Sequence, residues 1–88
     1  MRKRLKKAVS LKYQPEADRA PKLTAKGQGL VAEKIIALAR EHGIPVREEP
    51  DLVEVLSKLD LEQEIPPGTY VAVAEILAFV YRLNGRYK

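Results

Sequence analysis

The stretch Tyr70-Val71-Ala72-Val73-Ala74-Glu75-Ile76-Leu77-Ala78-Phe79-Val80-Tyr81-Arg82-Leu83 is apolar on nearly every side, with Glu75 and Arg82 its only charges. Valine, isoleucine and tyrosine favour strands, but the length of the run and its interspersed alanines favour a helix. A helix with so little polar surface must bury more than one face, or keep one face for a partner. It is therefore the element around which the rest of this small chain is expected to close.

The segments that precede it can be read in turn. Residues 61–68 are rich in Glu and Pro and form a loop, with Pro66-Pro67 setting the chain direction into the last helix. Pro50 suits the first position of a second helix over about residues 50–60, with Asp51 favourable in its first turn and Leu52, Val55, Leu56 and Leu59 as its buried face. From residue 28 to 42 the spacing of Val31, Ile35, Leu38 and Ala39 predicts an amphipathic helix, closed by Gly43 in a left-handed cap and by Pro45. Between these helices, residues 44–47 suit a strand.

Nearer the start, Val9, Leu11 and Tyr13 alternate with Ala8, Ser10 and Lys12, the period of a half-buried strand, and Pro15 ends it. Residues 22–26 form a second short strand, stopped by Gly27 and Gly29. The order strand, strand, helix, strand, helix, helix gives an α/β fold, with a small mixed sheet of about three strands packed with helices in a single domain.

The composition sets limits on function. The chain has 88 residues, 45% hydrophobic and 32% charged, which is enough for one core. It has no cysteine and one histidine, so neither a disulfide framework nor a thiolate metal site is available, and no metal or cofactor is expected. No apolar run reaches the roughly 18–20 residues of a membrane span, and the basic start lacks the apolar core of a signal peptide, so a cytoplasmic location is expected. The net charge of +4 is concentrated in Arg2, Lys3, Arg4, Lys6 and Lys7, whereas residues 41–64 are acidic.

Little of this points to catalysis. His42 belongs in the last turn of the first helix, where positive charge is favoured. Ser10 and Ser57 fall in a strand and a helix, with no neighbour to activate them. The segment Lys26-Gly27-Gln28-Gly29 lacks both glycine-rich phosphate patterns and reads as a turn. Clustered Lys and Arg at the start could neutralise nucleic-acid phosphates, which is the alternative reading; no aromatic residue is interleaved for stacking. Binding rather than enzymatic activity is expected.

Six short motifs occur in register: Ala8-Val9-Ser10-Leu11-Lys12-Tyr13, Ala20-Pro21, Ala25-Lys26-Gly27, Ile44-Pro45, Ile65-Pro66 and the run from Ala72 to Leu83. Together they resemble the cytoplasmic domain of the flagellar export switch proteins, the FlhB family, whose relatives serve virulence type III secretion. The resemblance covers about residues 8–83. It implies a role in accepting export substrates and in changing specificity from rod and hook proteins to filament proteins. The partners implied are export-apparatus proteins and early export substrates.

Members of that family cleave themselves in an Asn-Pro-Thr-His turn and carry transmembrane helices ahead of this domain. The corresponding positions here are Lys3, Arg4, Leu5 and Lys6. A lysine has no side-chain amide to attack its own carbonyl, so self-cleavage is not expected, and the chain reads as a stand-alone paralogue. Residues 1–7 form a basic arm, 8–84 the domain and 85–88 a tail. The resemblance further implies a hydrophobic patch for substrate motifs at Ala20, Pro21, Ala74 and Leu77; helical spacing alone fits Ala74 and Leu77 equally well as core.

Overall fold

The computed structural model describes residues 6–14 and 16–83, with the backbone alone for 81–83. Its elements are strands β1 (Lys7–Lys12) and β2 (Lys22–Gln28) and helices α1 (Leu30–Glu41), α2 (Pro50–Leu56) and α3 (Pro67–Leu83). The strands pair antiparallel, with Ala8 opposite Gly27 and Ser10 opposite Ala25; a shift after Ser10 then brings Leu11 opposite Leu23 and leaves Thr24 as the extra residue. The Thr24 hydroxyl donates to the Ser10 carbonyl at 3.2 Å and lies 3.0 Å from Ser10 Oγ, so this bulge is closed by its own side chains.

Two expectations about the number and pairing of strands are corrected. The sheet has two strands among the described residues and is antiparallel, rather than three-stranded and mixed. Residues 44–47 form no strand, and Ile44 and Val46 remain 57% and 38% exposed. The free edge of β2 is instead occupied by the segment read as a loop. The Leu23 N–H donates to the Gln63 carbonyl, the Glu62 N–H to the Leu23 carbonyl and the Ile65 N–H to the Pro21 carbonyl, with an antiparallel bridge between Lys22 and Glu64. Residues 44–47 begin bound elsewhere. The Ile44 N–H reaches the Ala39 carbonyl at 2.8 Å and the Gly43 N–H the Arg40 carbonyl at 3.1 Å, a Schellman cap with Gly43 at φ 71°.

Gly27 does not stop β2 but lies inside it. A β-carbon there would fall 2.9 Å from Val31 Cβ, so α1 rests directly on the glycine backbone. Helix α1 begins at Gly29, whose φ of 63° favours glycine and whose N–H donates to the Lys6 carbonyl at 2.7 Å. Helix α2 is shorter than the apolar spacing suggests. It ends at Leu56, and Ser57 follows it as the cap rather than lying within it, with its hydroxyl donating to the Glu54 carbonyl.

The core joins the last two helices to the segment that pairs with β2. Leu56, Ile65 and Val73 are buried together, and Val9, Leu11, Leu52, Leu59, Tyr70 and Leu77 pack around them. Each such aliphatic side chain contributes roughly 1.5–3 kcal/mol when fully buried. Helix α3 spends only one face on this core; Val71 is 68% and Phe79 45% exposed. Tyr13, just past β1, meets Tyr70 edge-on with ring centroids 6.4 Å apart, which holds the first turns of α3 against the end of the sheet.

Candidate functional site

Ala20 and Pro21 form the corner that leads into β2, and both are buried. They are held by the backbone: the Pro21 carbonyl accepts from the Ile65 N–H at 2.9 Å. Ile65 in turn packs with Val73, and Leu77 covers the same cluster one turn further along α3. Leu77 is half-buried and Ala74 is exposed. The corner and α3 are thus tied through one residue, Ile65. Of the four predicted residues Ala74 is exposed and Leu77 partly so, while Ala20 and Pro21 are buried.

Other singled-out residues take structural roles. His42 Nδ1 donates to the Leu38 carbonyl at 2.9 Å, closing the last turn of α1. Ser10 is engaged with Thr24. Lys26 lies in β2, where its ammonium donates to the Leu59 carbonyl at 2.7 Å and the Ser57 carbonyl at 3.4 Å, capping the end of α2. In the basic start, Lys7 is the first residue of β1 and pairs with Glu54 at 2.8 Å. Arg2, Lys3, Arg4 and Leu5, which include three of the four positions aligned with the cleavage turn, lie outside the described residues, as does the tail at 85–88. Among the described residues no cluster of His, Asp and Glu could hold a metal ion, and no helix is long and apolar enough to cross a membrane.

One feature was not legible in the sequence. An open groove of about 410 Å³ runs between α2 and α3, lined by Leu52, Val55, Ala72 and Ile76 and edged by Glu49, Asp51 and Glu75. At one end Arg47 stacks over Phe79 at 5.3 Å and pairs with Glu49 at 3.2 Å. The only advance sign of it was the alanine and isoleucine one turn apart at 72 and 76. That sign was obscured because residues 44–47 looked like sheet.

The same arrangement of strands and helices occurs in solved structures. The cytoplasmic domain of FlhB from Shewanella putrefaciens matches with a TM-score of 0.81 at 36% identity, over 94% of this chain and 68% of that one. The fold therefore defines the class: the small α/β domain of bacterial export switch proteins. The family described as FlhB HrpN YscU SpaS matches residues 5–80, and the chain belongs to it. The chain is similar to the protein YlqH of Bacillus subtilis (strain 168), 40% identical over 84 residues that make up 96% of this chain and 90% of that one. It is 46% identical to the flagellar biosynthetic protein FlhB of Aquifex aeolicus (strain VF5) over 74 residues, 83% of this chain and 21% of that protein. The chain thus spans most of the YlqH relative and about a fifth of the FlhB relative.

Proposed function

We propose that this chain is a non-enzymatic, cytoplasmic protein-binding module of the flagellar type III export apparatus, which receives short segments of early export substrates or export-gate components at the patch of Ala20, Pro21, Ala74 and Leu77, the partner touching Ala74 and Leu77 while the buried Ala20 and Pro21 set the shape of the corner. Membership of the export switch family across residues 5–80 is the observation that carries the reading. The tie from Pro21 through Ile65 to Leu77 supports it, because that tie gives the corner and α3 a fixed relation without a partner present. A preformed apolar surface binds at lower entropic cost than one that must order on contact.

Ala74 tests the patch with least disturbance to the fold, since it is exposed. Ala74→Asp is expected to keep the thermal unfolding midpoint of the parent and to weaken capture of rod and hook proteins about tenfold or more, measured by pull-down and calorimetry. An Ala74→Asp variant that folds normally and binds those substrates as the parent does would refute the patch. Lysine at position 3 supports the absence of self-cleavage on residue grounds. Mass spectrometry after prolonged incubation is expected to return one intact mass; a fragment starting at position 4 would overturn that expectation.

A further inference from the structure

The groove between α2 and α3 is a second surface, separate from the patch around Ala74. On a helix of 3.6 residues per turn, Ala74 lies about 160° around the axis from Ala72, so the groove and the patch occupy opposite flanks of α3. The floor of the groove is apolar, and Val55 on α2 is 49% exposed there although it belongs to the hydrophobic face of its helix. Phe79 continues that surface at 45% exposure.

Charge decides what fits this groove. Its rim carries three carboxylates, Glu49, Asp51 and Glu75, and one cation, Arg47. Arg47 is already committed to Glu49 and to the face of Phe79. Asp51 and Glu75 are exposed and have no ion-pair partner among the described residues. The net charge of +4 comes from the two ends of the chain, whereas residues 41–64 are acidic, and Glu49 and Asp51 of the rim belong to that acidic stretch. A basic ligand is attracted to this rim by the two uncompensated carboxylates.

We infer that the groove formed by Leu52, Val55, Ala72 and Ile76 docks a basic amphipathic segment of a partner protein, one that places two or three aliphatic side chains on the floor and lysine or arginine against Asp51 and Glu75. The volume suits a few side chains and not a whole domain, so the contact is a short linear segment. Its binding weakens with salt, because the charges on the rim are solvent-exposed.

The test is a titration of the isotope-labelled full chain, followed by amide NMR, with a synthetic peptide of alternating lysine and paired leucines and a control in which every lysine is glutamate. The expected result is a shift of amides confined to residues 47–55 and 72–79 with the lysine peptide. In the double variant Asp51→Lys and Glu75→Lys, affinity for the lysine peptide is expected to fall roughly tenfold and the glutamate peptide to be preferred. Both substitutions lie at exposed positions, and the unchanged remainder of the spectrum verifies the fold. Equal shifts with both peptides, or shifts centred on Ala74 and Ala20 instead, overturn the proposal. So does broadening that grows with protein concentration before any peptide is added, which assigns the groove to a second copy. Binding seen only after deletion of residues 1–6 overturns it too, by making the chain's own basic start the occupant. Ala74→Asp leaves this titration unchanged, which keeps the outcome independent of the substrate patch.

Discussion

At the scale of single residues, Gly27 shows how a chain this short saves space. Its lack of a side chain lets α1 sit on β2, and the obstructing atoms are Val31 Cγ1 and Cβ, the second of which cannot swing away because it is fixed to the helix backbone. Gly27→Ala must therefore move the helix, at an expected cost of about 1–3 kcal/mol, read as a lower denaturation midpoint in urea. The sequence marked Gly27 correctly as special but for the wrong reason, since a glycine in a strand and a glycine that ends one look alike without the neighbouring helix. Gly43 was legible, because a glycine after a helical pattern and before proline has few other uses. The exposure of Ala74 was not, as spacing alone fits a core position and a surface position equally.

At the scale of elements, the periodic segments were legible and the pairing of the irregular ones was not. The helices were foreseen from apolar spacing, and the structure moved their ends by only a few residues, except in α2. Just past its end, Lys26, on β2, donates to the carbonyls of Leu59 and Ser57. Lys26→Met keeps the stem and removes those donors, and is expected to cost about 0.5–1.5 kcal/mol, seen as faster amide exchange at the end of α2 with little change elsewhere. The missing third strand has a similar lesson. Residues 61–65 have no alternation to announce them, yet they hold the β2 edge with three backbone hydrogen bonds, while the better-patterned residues 44–47 are drawn off by the α1 cap.

For the whole molecule, one residue links the sheet edge, the buried cluster and the corner at Pro21. Ile65 donates its N–H to Pro21 and is 3% exposed among Leu56 and Val73. Ile65→Ala is expected to remove about 2–5 kcal/mol, a large share of the stability available to a domain of this size without disulfide or metal, and calorimetry should show a single cooperative transition at a much lower midpoint. The family and the general architecture were legible from six motifs in register, because the order and spacing of core contacts outlast changes elsewhere. The groove was not, because it depends on how a loop lies across two helices. The pairing of Tyr13 with Tyr70 has a practical consequence for all of these experiments. The chain has no tryptophan and four tyrosines, so its near-ultraviolet dichroism comes chiefly from tyrosine, with one phenylalanine besides, and this edge-on couple lies where α3 meets the sheet. Docking of that helix can be followed optically, without a label, in the same sample used to measure binding.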